Sequence, residues 1–544
     1  MWDGDRVASV SSQSADGIVY LVGAGPGDPG LLTCRGAELL GRASVVVYDA
    51  LVNADLLRLA PASAERIYAG KRSRDHAVPQ ADLNRLLVDR ARAGGVVVRL
   101  KGGDPYTFGR GAEEAAELAA AGVAFEVVPG ISSVTAAPNY AGIPLTHREH
   151  CSSFHVFTGH EDPGKPESRL DWGQIAQLNG TRVILMGIER LGDITAGLLT
   201  HGAAAGTPVA LVRWGTTGRQ ETLVGTLADI AARAATAGFA APAVIVIGDV
   251  VTLRGTLDWF ERRPLFGQRI VVTRTREQAS DLRRQLAELG AEVLEIPTIR
   301  IEPPEALGPL VEAIAGLGEY NWLVFTSPNG VTAFFDYFFK AYDDVRALGM
   351  ARIAAVGPAT AARLRELHLA VDAMPQEYVA SRVAAAIGEK ESIENLRILC
   401  LRAEVANPDL VARLEEAGGI VDDVACYRTV PETADANGAV ARFEEDGADW
   451  ITFTSASTVE NFHARFDLPA VCARRPGLRL ASIGPETTRA VTALGLQPAV
   501  EARPHNLAGL IQGLRSAVRR SRLAASKSGK AHAEPKPEGH GEEA

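Results

Sequence analysis

The sequence predicts an α/β protein of several domains, on three observations. Short Val- and Ile-rich runs alternate with Ala/Leu/Arg/Glu-rich helical stretches from end to end, the pattern of strands and helices stacked in layers. The chain has 544 residues, a length that suggests roughly three or four domains. Residues 269–512 also carry one pattern twice. Arg269-Ile-Val-Val-Thr-Arg274 recurs 128 positions on as Arg397-Ile-Leu-Cys-Leu-Arg402, and Trp322-Leu-Val-Phe-Thr-Ser327 recurs at the same offset as Trp450-Ile-Thr-Phe-Thr-Ser455. Gly357-Pro-Ala-Thr360 returns as Gly484-Pro-Glu-Thr487, 127 positions on. A shared offset over three matches marks a duplication whose unit is the size of a domain, far longer than a solenoid repeat.

Taken in order, the predicted strands of the first half include Ile18–Val22, Ser44–Tyr48, Val96–Leu100, Arg182–Met186, Val209–Arg213 and Ala243–Ile247. Met1–Asp16 is polar and is expected to be a disordered leader; it lacks the basic and apolar segments of a signal peptide. Pro and Gly between 138 and 148 suggest a subdomain break within 17–262. Glu261-Arg-Arg-Pro-Leu-Phe-Gly267 marks a junction, with 263–268 as a linker before the duplicated region 269–515. Residues 516–544 read as a disordered tail, since from Ser521 on almost no bulky apolar residue occurs.

Composition narrows the function classes. With 47% hydrophobic and 22% charged residues, the chain is ordinary soluble protein, and a net charge of −10 argues against a general nucleic-acid binder. The five cysteines are scattered, with no CxxC pair and no His cluster at ligand spacing. Such usage fits a reducing cytoplasm and offers no metal site. No run approaches the ~20 apolar residues needed to span a bilayer, so no membrane partner is expected.

The first strand runs into Gly23-Ala-Gly-Pro-Gly-Asp-Pro-Gly30 and then a helix start. Glycines allow close backbone approach to a ligand, and a helix N-terminus favours electron-rich groups. A dinucleotide site is one reading, with Asp49 ending the second strand where a ribose binder would stand. Against it, Asp28 occupies a position where GxGxxG needs glycine, and Pro26 stiffens the loop; a plain tight turn is the other reading. Three further strand-end loops follow: Arg99-Leu-Lys-Gly-Gly-Asp-Pro-Tyr-Thr-Phe-Gly-Arg-Gly111, Val127-Val-Pro-Gly-Ile-Ser-Ser133 and Gly142-Ile-Pro-Leu-Thr-His-Arg148. Ligands of α/β sheets bind at such loops.

Together with Gly70-Lys71-Arg72, Met186-Gly187, Gly215-Thr216 and Ala241-Pro-Ala243, these motifs resemble uroporphyrinogen-III C-methyltransferase of the tetrapyrrole methylase family, in order over about residues 17–262. The resemblance implies two α/β domains with S-adenosylmethionine between them and supersedes the dinucleotide reading. It implies that Pro26, Gly102, Gly103, Asp104, Thr107, Ser132, Ser133, Met186, Gly215 and Ala243 hold that methyl donor. Asp49 takes the place of the proton acceptor, and Lys71 that of the proton donor. A carboxylate suits the first role, because the macrocycle must lose a proton when its carbon takes the methyl. Arg72, Arg74, Arg110, His147 and Arg148 become candidates for the substrate's carboxylates, with a surface ion pair the alternative for each arginine. Asp104 has an alternative too, as the brace of its own glycine loop. A homodimer through this half is also implied.

Val271-Val-Thr-Arg274, Phe325-Thr-Ser327, Tyr427-Arg-Thr429, Phe453-Thr-Ser455 and Ile483-Gly-Pro-Glu-Thr-Thr488 resemble uroporphyrinogen-III synthase over about residues 265–515. The implied fold has two α/β subdomains with the chain crossing between them: 269–300 plus 431–514, and 301–426. In the duplication Ile299-Arg300 aligns with Tyr427-Arg428, an aliphatic side chain against a phenol. The resemblance makes Tyr427 the group that assists departure of the hydroxyl from hydroxymethylbilane; a half-buried linker tyrosine is the alternative. Ser327, Ser455, Thr360, Thr487 and Thr488 would bind substrate carboxylates, unless the two Gly-Pro-x-Thr threonines cap helices instead. The expectation is a bifunctional cytoplasmic enzyme, without metal, that makes uroporphyrinogen III and methylates it twice to precorrin-2. The competing reading keeps the methyltransferase and makes the second half degenerate or tetrapyrrole-sensing.

Overall fold

Four five-stranded sheets follow one another in a computed structural model that describes residues 17–70, 79–159, 170–274, 276–377, 380–435 and 438–531. The expected leader, Lys71, Arg72 and Arg74 lie outside the described residues. The first sheet is all parallel and orders its strands Glu65–Tyr68, Val45–Tyr48, Val96–Lys101, Ile18–Gly23 and Ala124–Val128. Val19, Leu21, Val22, Val46, Val47, Val97 and Val98 are fully buried. Helices cover both faces of such a sheet, so its strands read as unbroken apolar runs without polar alternation. The second sheet is mixed, ordered Phe154–Thr158, Thr181–Leu185, Ala243–Ile247, Pro208–Arg213 and Glu221–Thr226. All six strands predicted in this half fall within one residue of the observed bounds.

The second half weaves the two copies of the duplication together. Strand Arg269–Val272 of the first copy pairs with Trp450–Phe453 of the second, Ile270 opposite Trp450. Strand Arg397–Ala403 of the second copy pairs with Trp322–Phe325 of the first, Ile398 opposite Trp322. Each sheet is thus completed by a strand from the other copy. Both tryptophans are fully buried, and each indole finds an acceptor: Trp322 Nε1 donates to Glu391 at 2.7 Å and Trp450 Nε1 to Gln268 at 3.1 Å. The chain crosses twice between the sheets, through Ile299–Glu302 and the end of Ile420–Pro431. These segments pair with each other antiparallel, Ile299 opposite Pro431 and Ile301 opposite Thr429.

Two sequence expectations change. Leu265, within the expected linker, is fully buried in the core of the third sheet beside Ile270 and Leu286, so the junction is docked. The last helix runs Leu507–Ala531, well into the expected tail. Leu514, Ala517 and Val518 are buried on that core, and Arg522 Nη2 donates to the Phe266 carbonyl at 2.7 Å. A few apolar anchors inside a polar stretch suffice to hold a helix, and average composition hides them. Among the described residues no helix is long and apolar enough to cross a membrane.

Candidate active site

Loops at the strand ends of the first two sheets enclose a cavity of about 1560 Å³. Its floor is backbone on backbone. A Cβ on Gly130 would stand 2.2 Å from the Gly103 carbonyl oxygen, and one on Gly23 would stand 2.5 Å from the Gly130 Cα. Only glycine lets three strand-end loops approach this closely. Pro26, Gly102, Gly103, Asp104, Thr107, Ser132, Ser133, Met186, Gly215 and Ala243 all line this one cavity, together with Asp49. Four non-glycine residues of the lining, Phe108, Met186, Trp214 and Thr216, hold left-handed backbone with φ between 48° and 72°. Such conformations cost free energy and concentrate where a surface is shaped for a ligand.

Two acids of these loops are occupied with architecture. Asp104 Oδ1 accepts from the Tyr106 and Thr107 amides, both at 2.9 Å, and from the Thr107 hydroxyl at 3.0 Å; its Oδ2 accepts from Gly130 N at 3.0 Å. The brace alternative describes its side chain. Asp28, which spoils the dinucleotide motif, caps the turn Pro29–Leu31 by accepting from Gly30 N at 2.8 Å. Its Oδ2 also accepts from Tyr140 OH at 2.8 Å, and its amide donates to Thr216 Oγ1 at 3.0 Å, which ties the loops of the two sheets together.

Asp49 also faces the cavity. Leu51 N donates to its Oδ1 at 3.1 Å and Gly102 N to its Oδ2 at 3.2 Å, while Arg99 Nη2 stands 3.7 Å away. Behind it lies a buried charge cluster that sequence reading missed. Lys101 Nζ is 2.7 Å and Arg99 Nε 3.3 Å from Glu114 Oε1, and all three side chains are 5% exposed or less. Burial pushes the Lys101 ammonium down from its usual range, with the Arg99 charge adding to the shift. Charged residues in an otherwise apolar strand, Arg99-Leu-Lys101, were the available signal. Of the predicted carboxylate binders, Arg110 forks onto Glu113 at 3.0 and 2.8 Å, and His147 Nδ1 accepts from Glu149 N at 3.2 Å. Neither they nor Arg148 line the cavity.

In the second half, Tyr427 is 6% exposed, in a core with Phe325 and Phe334. Its hydroxyl lies 2.9 Å from Ser327 Oγ, which also caps helix Pro328–Ala341 by accepting from Gly330 N at 3.0 Å. Burial raises the phenol above its usual range, so it stays protonated. Ser455 caps the equivalent helix Ala456–Phe466 but has Ser457, not a phenol, at 3.0 Å. Thr360 and Thr487 do not cap: the caps are Gly357 and Gly484, and both threonines are buried in the first turn. Thr488 is bound by Ser482 at 2.7 Å and Glu501 at 2.5 Å.

A strand-end cleft clasped by two α/β layers, followed by two interleaved sheets, defines a fused α/β enzyme. Residues 18–231 match the tetrapyrrole (corrin/porphyrin) methylases and residues 280–512 match uroporphyrinogen-III synthase HemD. The chain is 40% identical over 462 residues to the porphyrin biosynthesis protein HemD of Ruminiclostridium josui, covering 84% of this chain and 91% of that one. It is 39% identical over 382 residues to the uroporphyrinogen-III C-methyltransferase of Bacillus subtilis, 70% of this chain and 77% of the relative. An S-adenosyl-L-methionine-dependent uroporphyrinogen III methyltransferase of Methanosarcina barkeri is 53% identical over 241 residues, 44% of this chain and 94% of its own. The chain belongs to the HemD family of porphyrin biosynthesis proteins, with a tetrapyrrole methylase domain ahead of a uroporphyrinogen-III synthase domain.

Proposed function

We propose that the chain cyclises hydroxymethylbilane to uroporphyrinogen III and methylates that product twice, giving precorrin-2. The observation that carries the first activity is the convergence of ten donor-site candidates and Asp49 on one cavity. Glycine backbone, the Ser132 and Ser133 loop and the apolar walls at Leu185, Met186 and Ala243 suit a nucleoside with a charged tail, and we assign S-adenosylmethionine to them. When bound, it supplies a methyl group on a sulfonium, and the electron pair of the broken C–S bond stays on sulfur. The chain's part is placement and proton handling. The strand-end loops hold the reactants at reacting distance. Asp49, fixed by two amides and Arg99, accepts the proton that the macrocycle must lose once its pyrrole carbon has taken the methyl.

For the synthase, Tyr427 is the assigned proton donor to the departing hydroxyl, held in place by Ser327. The asymmetry with Ile299 supports a chemical role for it. We further assign the protein to the cytoplasm, in keeping with five unpaired cysteines, and to a homodimer through the methyltransferase half, as the family resemblance implies. Incubation of the full chain with hydroxymethylbilane and the methyl donor, with product identification, tests the reading. Precorrin-2 is expected. Methylation of supplied uroporphyrinogen III with no type III product from hydroxymethylbilane would instead leave the second half degenerate or regulatory.

A further inference from the structure

The cavity has a third wall, and it comes from the other enzyme. Besides the strand-end loops, Arg283, Arg284, Ala287 and Glu288 of helix Arg276–Glu288 line it, as do Glu292 and Arg442. The contact is tight. A Cβ on Gly218 would stand 2.3 Å from the Glu292 amide nitrogen, so here the halves meet backbone to backbone. Glu295, 3% exposed, is paired with Arg58 of the methyltransferase half and with Arg283 of its own, the latter at 2.9 Å. Arg283 Nη1 also donates to Asp55 Oδ2 at 2.8 Å. Asp55 and Arg58 sit on the turn that follows Asp49 and Leu51. Ion pairs anchored on a buried carboxylate such as Glu295 fix one geometry more than they add stability.

We propose that the methylation site is composite: the porphyrinogen binds between the Asp49 turn and helix Arg276–Glu288, so the synthase half supplies part of the methyltransferase's substrate site. This rests on the methyltransferase assignment above. Three observations favour the tetrapyrrole over the donor at this wall. The donor candidates all lie in the methyltransferase half, while helix Arg276–Glu288 of the synthase half reaches across to Asp55, on the turn after Asp49. A volume of about 1560 Å³ exceeds the ~300–1,000 Å³ of a typical single-ligand pocket, leaving room for a second, larger molecule. The wall is also rich in guanidinium: Arg283, Arg284 and Arg442 line it, and across from them Arg219 of the methyltransferase half stands 3.3 Å from Glu292. A polycarboxylate can take a share of those arginines.

The test uses the full chain and two substitutions on one helix. Ala287→Trp fills the cavity from the synthase side; Gln285→Trp adds the same bulk at a position that does not line it. With uroporphyrinogen III supplied and the methyl donor saturating, Ala287→Trp should raise the tetrapyrrole KM by about tenfold or more. Calorimetric affinity for S-adenosylhomocysteine and synthase turnover should stay at wild-type values, and Gln285→Trp should leave all three unchanged. An unchanged KM in Ala287→Trp, with wild-type methylation intact, overturns the composite site and leaves the function standing. Equal losses in KM and donor affinity also overturn it, because the wall would then belong to the whole cleft. A wild-type protein that does not methylate uroporphyrinogen III overturns both.

Discussion

The two halves arrange similar α/β layers around opposite kinds of site. In the methylase half the candidate residues are mostly loop backbone at strand ends, and eleven of them from seven separate segments face one cavity. In the synthase half the candidates are buried in the core or engaged as helix caps, and Tyr427 is sealed against Phe325 and Phe334. The difference follows from the chemistry each half is assigned. Transfer between two bound molecules gains most from a rigid cleft that fixes their distance. Ring closure of a linear substrate needs domains that move relative to one another, and two crossing strands paired at Ile299–Glu302 form a narrow connection suited to that.

The largest effect should come from Asp49→Asn. It keeps the shape of the side chain and an acceptor for one of the Leu51 and Gly102 amides while removing the base, so methylation kcat should fall about 10²- to 10⁴-fold. Donor affinity, read by calorimetry with S-adenosylhomocysteine, should change little. Parallel losses in both would return Asp49 to the cavity wall and erase the contrast drawn between base and scaffold.

Tyr427→Phe comes next. Removing one hydrogen bond to a leaving group should slow synthase turnover about ten- to a hundredfold, with more type I isomer and unchanged methylation of supplied uroporphyrinogen III. Because burial raises the phenol, its donor form persists as pH rises, and the synthase rate should show no loss from phenol ionisation below pH ~10. A wild-type rate of type III formation in this variant would make Tyr427 a core residue. Ile299→Tyr should not rescue it. The two linkers pair directly, but Ile299 lies opposite Pro431, at the end of the pairing away from Tyr427.

A third measurement probes assembly. Sedimentation of the full chain should give a dimer, and a clean monomer at micromolar concentration removes the homodimer assignment.

Much of this was legible beforehand, for identifiable reasons. Buried parallel strands advertise themselves as apolar runs, so their bounds came within a residue. Glycine loops at their ends are legible because close approach admits no substitute, as at Gly130. The duplication was visible, but not that Ile270 pairs with Trp450 and Ile398 with Trp322, since spacing does not encode a strand's partner. Asp104 was ambiguous for a related reason: an acid in a glycine loop serves the loop's amides as readily as a ligand. The synthase wall on the methylase cavity was invisible, because Arg283 and Glu295 read as ordinary surface charges until Asp55 and Arg58 are brought against them.

The smallest expected effect isolates the two copies from each other. Ser327 and Ser455 occupy equivalent positions and both cap helices, so Ser327→Ala and Ser455→Ala should each cost about 1 kcal/mol, or a fall of about 2–4 °C in Tm for a domain of this size. Stability alone would not separate them. Synthase rate should, because only Ser327 lies against the Tyr427 hydroxyl, at 2.9 Å, while Ser455 has Ser457 in that place. Ser327→Ala should therefore slow ring closure by several-fold, about 1 kcal/mol of barrier, and Ser455→Ala should not. In the double variant Ser327→Ala/Tyr427→Phe the losses should fall short of additive, since both substitutions break the same contact. Full additivity would mean that the serine acts through its helix and not through the phenol, and the asymmetry between the copies would then lie in Tyr427 alone.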